Sequence, residues 1–296
     1  MVAMGRASDP DPLQDFCVAD LSAGTTKVNG FACKDPNTVK ASDFFFKGLK
    51  KPGLTNNTFN INVTSGDVES FPGINTLRIS MFRVDFARGG LNPPHSHPRV
   101  TEIVYLMKGA IIASFVTTNN VLYSQKLVKG EPLYNSVDNK PLNREFDKPK
   151  MTKLVKGTTG NPQRLASCDD GTGRDERAAK VNGFACKDPN TVKASDFLFK
   201  GLNKPGLTNN TFNINVTSGY VESFPGINTL GISMFRVDFA QEGLNPPHSH
   251  PRAREIVYLM KGTLIASFVT TKNVLHSQKL VKGDVFVIRR GLVHFQ

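Results

Sequence analysis

The chain has 296 residues, of which 39% are apolar, and it carries a formal net charge of +12 with a pI near 9.6. This length and apolar content are enough for two globular domains of ordinary size. No apolar run reaches 18 residues, which excludes a long hydrophobic membrane span. The lysines and arginines are scattered and not interleaved with aromatics, so we expect no nucleic-acid partner.

The N-terminal residues 1–12 lack the apolar core of a secretory signal, which indicates either a cytosolic protein or a chain that begins near a mature N-terminus. The chain has four cysteines: Cys17, Cys33, Cys168 and Cys186. Their even number and paired placement predict two local disulfides and an oxidising compartment, with four reduced thiols as the alternative.

The chain contains an internal duplication. A shift of 153 positions aligns residues 27–130 with 180–283 without a gap, and 12 of the 104 aligned positions differ. Because this period is domain-sized, each copy should form its own folding unit. We predict a first domain at 8–133, a largely disordered linker at 134–178 that is rich in Lys, Asp, Asn, Gly and Pro, and a second domain at 179–296.

Short β-branched and aromatic runs separated by Gly, Pro and Asn predict strands within each copy. In copy 1 these are 76–86, 102–107 and 110–117, with Lys108 and Gly109 as a hairpin turn between the last two. Helical periodicity is weak apart from one turn at 41–49. The pattern favours an all-β sandwich or barrel.

Each copy carries the segment P-P-H-S-H-P-R, which accounts for four of the six histidines: His95, His97, His248 and His250. Residues two apart on a strand point to the same face, so each pair can contact one metal ion. Pro98 and Pro251 allow the chain to turn, so that Glu102 and Glu255 begin the next strand and face the same site. Two imidazoles and one carboxylate suit Mn, Fe or Zn.

Copy 2 also supplies a fourth candidate ligand. Gly283 opens a turn, 285–288 has the pattern of a strand, and Gly291 makes a second turn that delivers His294. The remaining histidine, His276, aligns with Tyr123, and we interpret it as a solvated strand residue and not as a ligand.

These segments resemble the first motif of the plant germins and germin-like proteins of the cupin superfamily, which reads G-x5-H-x-H, three or four residues, E-x6-G. Copy 1 matches it from Gly89 to Gly109, and copy 2 matches it with Glu242 at the first glycine. The start S-D-P-D-P-L-Q-D-F-C-V-A-D at 8–20 and the segment F-P-G-I-N-T-L at 71–77 and 224–230 are also similar to germins.

The resemblance implies two cupin jelly rolls around sites that usually hold Mn(II). Both copies lack the last strands and C-terminal helices of the family, so we expect each jelly roll to be incomplete at its C-terminal side. The implied metal ligands are His95, His97 and Glu102 in copy 1, and His248, His250, Glu255 and His294 in copy 2. It also implies a Cys17–Cys33 disulfide, whereas a bridge between Cys168 and Cys186 stays open because the segment before Cys186 has lost the germin pattern.

For the whole protein, the resemblance implies secretion to the extracellular space or apoplast, a role in plant defence, N-glycosylation and assembly into homo-oligomers. The incomplete jelly rolls suggest, as an alternative, that the two copies pair within one chain. Four sequons agree with secretion, at Asn56, Asn62, Asn209 and Asn215.

The sequence departs from the family at several places. Arg289 replaces the proline of the second cupin motif, and Pro141 stands at the position of copy 1 that matches His294. Oxalate oxidases carry Asn within the S-M-x-R-V-D segment, where this chain has Phe82 and Phe235. An apolar ring cannot hydrogen-bond an oxalate oxygen, so we predict no oxalate oxidase activity, although the second substrate-side Asn is kept as Asn92 and Asn245.

The sequence therefore predicts a secreted, manganese-binding, germin-like glycoprotein. The alternative is a manganese-dependent oxidoreductase of the superoxide dismutase or oxalate oxidase type. A third interpretation compares the two histidines and one carboxylate of copy 1 with the facial triad of non-haem Fe(II) oxygenases.

Overall fold

The computed structural model describes residues 16–23, 31–95, 97, 102–116, 121–135, 180–181, 184–185, 187, 191–228 and 230–296. In this part of the chain the secondary structure consists of short antiparallel strands and single turns of 3-10 helix, which confirms the all-β class. No helix there is both long enough and apolar enough to cross a membrane.

The strands of the first 135 residues are β1 (Phe45–Phe46), β2 (Ile61–Gly66), β3 (Met81–Phe86), β4 (Glu102–Tyr105), β5 (Ala110–Val116), β6 (Leu122–Val128) and β7 (Pro132–Asn135). Those that follow are β8 (Lys180–Val181), β9 (Phe184–Ala185), β10 (Ile214–Gly219), β11 (Met234–Phe239), β12 (Glu255–Tyr258), β13 (Thr263–Val269), β14 (Leu275–Val281), β15 (Val285–Ile288) and β16 (Val293–Phe295). The 3-10 turns are Pro36–Thr38, Ala41–Phe44, Pro72–Ile74, Ala194–Phe197 and Pro225–Ile227.

The chain forms two compact units that do not coincide with the two sequence copies. Unit 1 combines residues 1–93 with 244–296, and unit 2 is the intervening segment 94–243. Each unit therefore joins the N-terminal half of one copy to the C-terminal half of the other. The predicted domains 8–133 and 179–296 divide the chain differently, because two halves that differ at so few positions can each fit either partner.

The described residues of unit 1 form two three-stranded sheets and a separate β2–β3 pair. One sheet has the order β1-β15-β12, so a copy 1 strand pairs with copy 2 strands, with Phe45 opposite Phe286 and Phe46 opposite Val285. The other sheet has the order β14-β13-β16. A hydrophobic core of unit 1 packs Phe44 from copy 1 against apolar side chains of β13, β14 and β15.

In the described residues of unit 2, the matching strands form two-stranded pairs, with the halves of the copies exchanged. β4 pairs with β7, β5 with β6, and β10 with β11. Its core packs Phe115, Tyr123 and Leu127 of copy 1 against Phe197 and Phe224 of copy 2. β7 reaches Asn135, two residues into the predicted linker, and the rest of that linker lies outside the described residues.

Two details of the strand prediction are corrected. The strand predicted at 76–86 begins only at Met81, because Thr76 and Arg78 have φ of 66° and 54°, which is incompatible with extended backbone. Lys108 and Gly109 do not close a hairpin, since β4 and β5 pair with other strands. They turn the chain from one sheet into the next, with Gly109 at φ 85°.

The prediction that the His276 side chain is solvated is wrong, because this side chain is buried. It stacks on Phe268 at 5.0 Å between ring centroids and meets Phe16 and Phe44 edge-on. The matching Tyr123 of unit 2 is buried beside Phe115 and Phe197 in the same way. Alternation along the strand puts this position on the core face.

The predicted Cys17–Cys33 disulfide is confirmed. It closes the N-terminal segment of unit 1, and Phe16 and Val18 beside it belong to the core. Cys168 and Cys186 lie outside the described residues.

Candidate metal centre

Four predicted ligands converge in unit 1: His248, His250, Glu255 and His294. Each offers one ligand atom, and these atoms all lie within 4.8 Å of one another. Glu255 is the first residue of β12, as predicted, and His294 is the middle residue of β16, a strand that the sequence pattern did not predict. The cluster therefore brings together all four residues predicted for copy 2.

The backbone around the histidines differs from the continuous strand that the H-x-H spacing suggested. His248 and His294 form an isolated bridge, with the His248 N–H donating to the His294 carbonyl at 3.0 Å and the reverse bond at 2.8 Å. His250 lies in irregular backbone, and its carbonyl accepts from the Gly291 N–H at 3.0 Å. The loop with the first two histidines is thus fixed directly to the turn and strand that carry the fourth ligand.

The side chains meet at a single carboxylate oxygen. Glu255 Oε2 lies 3.1 Å from His250 Nε2 and 3.2 Å from His294 Nε2. The ring centroids of His248 and His294 are 4.1 Å apart. Three imidazoles facing one carboxylate form a concentrated donor set of the kind that binds a divalent cation.

The outer ring nitrogens are held by backbone carbonyls. His248 Nδ1 lies 2.8 Å from the Pro246 oxygen and His294 Nδ1 lies 2.9 Å from the Leu292 oxygen. A carbonyl can only accept, so in both rings Nδ1 carries the hydrogen and donates it. This arrangement leaves Nε2 as the nitrogen that could bind a metal ion, and it fixes the ring orientation, as outer-shell partners do in metal sites.

Glu255 and His294 perturb each other electrostatically. Burial alone would raise the pKa of Glu255, but the hydrogen bond from His294 and the charges of the three histidines hold that pKa below its ordinary value. Burial would lower the pKa of His294, whereas the bonds to Glu255 and to the Leu292 carbonyl raise it. A metal ligand must be deprotonated, so a bound cation would replace the proton at His294 Nε2, and its binding should weaken at acid pH.

Sequence reasoning missed Gln296. Its Nε2 donates to Glu255 Oε1 at 3.2 Å, while its Oε1 accepts from Asn245 Nδ2 at 2.6 Å. The two amides thus hold the second carboxylate oxygen. The signal was present in the sequence, because Gln296 lies two residues after His294 and so on the same side of the strand.

The donor set of unit 1 fits a divalent metal ion. Three imidazole nitrogens and one carboxylate are suitable ligands for Mn, Fe or Zn, and the residues that would hold the ion are the four named above. Its chemistry there would be that of a Lewis acid able to bind a small anion or dioxygen species. The ligand types alone do not select one metal, since intrinsic affinity follows the Irving–Williams order.

The copy 1 set His95, His97 and Glu102 also comes together, in unit 2. The ligand atoms meet the same 4.8 Å limit, but both histidines are exposed, whereas His294 of unit 1 is buried. Within the described residues no fourth donor joins them. Pro141, at the position matching His294, lies outside that part of the chain.

The other predicted residues are distributed as follows. Phe82 and Phe235 are exposed on β3 and β11. The sequon residues Asn56 and Asn209 are exposed, whereas Asn62 and Asn215 are half-buried.

Comparisons with known proteins relate this chain to one protein family. The family described as "Cupin" matches residues 47–135 and 200–296. Germin-like protein subfamily 2 member 1 of Arabidopsis thaliana is 57% identical over 128 residues, which are 43% of this chain and 58% of the relative. Germin-like protein 1-1 of Oryza sativa subsp. japonica is 53% identical over 131 residues, 44% of this chain and 59% of the relative.

The chain thus spans less than two thirds of the length of these relatives. Among solved structures, a variant of the Bacillus subtilis oxalate decarboxylase has a TM-score of 0.55 at 13% identity, covering 87% of this chain and 74% of that one. That likeness concerns the fold alone. With two matched regions that together span more than half of its length, the chain belongs to the cupin family, and in sequence it is similar to germin-like proteins.

Proposed function

We propose that this chain is a secreted, germin-like, manganese-binding glycoprotein, associated with plant defence and without oxalate oxidase activity. The observation that carries the proposal is the convergence of His248, His250, Glu255 and His294 on one point of unit 1. The similarity to germin-like proteins supports manganese over the other metals that the same donors can bind.

Secretion is supported by the Cys17–Cys33 disulfide, because structural disulfides persist mainly in oxidising compartments. Glycosylation is supported by the exposure of Asn56 and Asn209, since an acceptor must be reachable from solvent. The half-buried Asn62 and Asn215 are weaker acceptors: their side-chain oxygens lie close to Gly53 and Gly206.

The absence of oxalate oxidase activity is supported by two features. Phe82 and Phe235 place an apolar ring where the family's oxalate oxidases use an amide. The amide of Asn245 already donates to Gln296, so it is not free to bind a substrate oxygen without breaking that bond.

The second candidate is a manganese-dependent oxidoreductase of the superoxide dismutase type. It is favoured by the partial exposure of the cluster, in which the His250 side chain is 40% exposed and the Glu255 side chain 27%. A small diatomic anion can approach a site that is open in this way.

The test uses the purified full chain loaded with Mn(II) and compares it with a His248→Ala variant. We expect the parent to retain Mn, the variant to lose it, and neither to release hydrogen peroxide from oxalate at acid pH. Superoxide consumption by the parent that disappears in His248→Ala would favour the oxidoreductase. Peroxide release from oxalate, or a parent that retains no Mn, would contradict the proposal.

A further inference from the structure

Arg289 lies at the point where β15 ends and the turn towards the fourth ligand begins. It is buried, 7% exposed, and follows Ile288 directly. The turn after it passes through Gly291, at φ 76°, to β16 and His294. The conformation of this turn therefore decides where the imidazole of His294 lies.

The guanidinium of Arg289 reaches the copy 1 half of unit 1. Nη1 donates to the Asn75 carbonyl at 3.1 Å and Nη2 donates to Thr76 Oγ1 at 2.9 Å. Burial lowers the pKa of Arg289 to about 10, so the group stays charged at neutral pH. Burying a charged group costs free energy unless the group is hydrogen-bonded, so the loss of these two bonds should destabilise the folded state.

The two acceptors are themselves held in place. Asn75 is 1% exposed, and its Nδ2 donates to the Phe31 carbonyl at 3.0 Å and contacts Cys17 Sγ at 3.3 Å. Thr76 has φ 66°, a conformation that a β-branched residue rarely adopts. Such strain persists only where surrounding contacts impose it, and the bond to Arg289 is one such contact.

Arg289 differs from the residues at the two positions that match it. The residue of copy 1 that matches it is Ser136, and the second cupin motif has proline there. Neither residue carries a donor that could reach as far as a guanidinium. The link from the disulfide segment through Asn75 to the His294 turn thus depends on one side chain.

We propose that Arg289 is a positioning residue for the metal centre, which anchors the turn of residues 289–292 on the copy 1 half and thereby holds His294 toward Glu255. Its value for metal binding rests on the proposed function. Its effect on the His294 turn can be measured without any metal.

The test compares the full-length parent with Arg289→Met, which keeps length and bulk but removes the donors. In the metal-free proteins, hydrogen exchange should become at least about tenfold faster in peptide 289–296, with little change in β13 and β14. In the presence of Mn(II), the apparent dissociation constant should rise about 10–100-fold, as is usual for loss of an outer-shell partner. Pulsed EPR of bound Mn(II) should count three histidine nitrogens in the parent and two in the variant.

Thr76 provides the matched variants. Thr76→Ala should move the exchange rate and the Mn(II) affinity in the same direction as Arg289→Met, by a smaller factor. Thr76→Ser keeps the hydroxyl and should give parent-like values of both, and Thr229→Ala at the matching position of copy 2 should change neither.

Unchanged exchange in peptide 289–296 of Arg289→Met would overturn the proposal, as would uniformly faster exchange throughout unit 1 with an unchanged histidine count. If the parent binds no Mn, the proposed function fails, and the metal-free exchange still decides the role of Arg289.

Discussion

At the scale of single residues, His276 illustrates what alignment between the copies can and cannot reveal. Its alignment with Tyr123 argued against a metal ligand, and its side chain contacts Phe16, Phe44 and Phe268 in the core. The same comparison did not reveal its burial, because histidine and tyrosine are both common at surfaces. Only the strand register places the side chain inside.

The burial of His276 predicts an acid-sensitive unit 1. Burial lowers its pKa, and the charge of Asp43 opposes that effect only in part. Below about pH 6.5 the unfolded chain therefore binds a proton that the folded chain does not. Stability from this residue is present above that pH and is lost as pH falls, by at most about 1.4 kcal/mol per pH unit.

His276→Tyr, which installs the copy 1 residue, should reduce the loss of stability between pH 7.5 and pH 5. Urea unfolding followed at several pH values measures this slope, whatever uniform packing change the larger ring causes. The reciprocal Tyr123→His should make unit 2 more acid-sensitive. Equal slopes for the parent and His276→Tyr would contradict a buried neutral imidazole.

The candidate metal ligands show the same difference between local and long-range features. The sequence predicted His248, His250, Glu255 and His294 as candidates, since their spacing and turns are local features, and their side chains lie close together. It could not identify Asn75 and Thr76 as partners of Arg289, because more than 200 positions separate them along the chain. Contacts of that separation leave no periodic signal.

At the scale of secondary-structure elements, prediction worked where hydrophobic pattern and turn residues agree. β15 at Val285–Ile288, between two glycine turns, matches its prediction. Prediction was wrong where the residue type gives no sign of an unusual backbone conformation. Arg78 and Gly231 occupy the same left-handed position of the two copies, but only the glycine signals it in the sequence.

Strand pairing was the least predictable property. The pairing of β1 with β15, which places Phe46 opposite Val285, joins residues of different copies. By sequence alone, β1 could equally have paired with β7 of its own copy, where Pro132 matches Val285. Charge does not distinguish the two pairings, because Lys50 Nζ lies 2.6 Å from Asp284 Oδ1 and the copy 1 residue that matches Asp284 is Glu131, which also carries a carboxylate.

A pair of engineered cysteines tests this pairing. Phe46→Cys with Val285→Cys should form a disulfide on mild oxidation, detected by mass spectrometry of proteolytic peptides. Phe46→Cys with Pro132→Cys is the matched control and should stay reduced. The opposite pattern would mean that each copy folds on itself.

At the scale of the whole molecule, the described parts of the two units carry candidate metal sites of unequal size. Unit 1 receives its four candidate ligands from copy 2 and much of its supporting framework from copy 1. Among the described residues of unit 2, three candidate ligands come together, and both histidines are exposed. The two identical H-S-H segments therefore do not predict two equal metal sites, since the fourth ligand and the buried anchors decide the outcome.

The most direct test of this inequality is the metal content of the purified full-length chain, measured by elemental analysis after loading with Mn(II) and removal of excess metal. We predict one Mn per chain, which falls to nearly zero in His294→Ala and is unchanged in His95→Ala. Two Mn per chain, or a loss in His95→Ala equal to that in His294→Ala, would contradict the account.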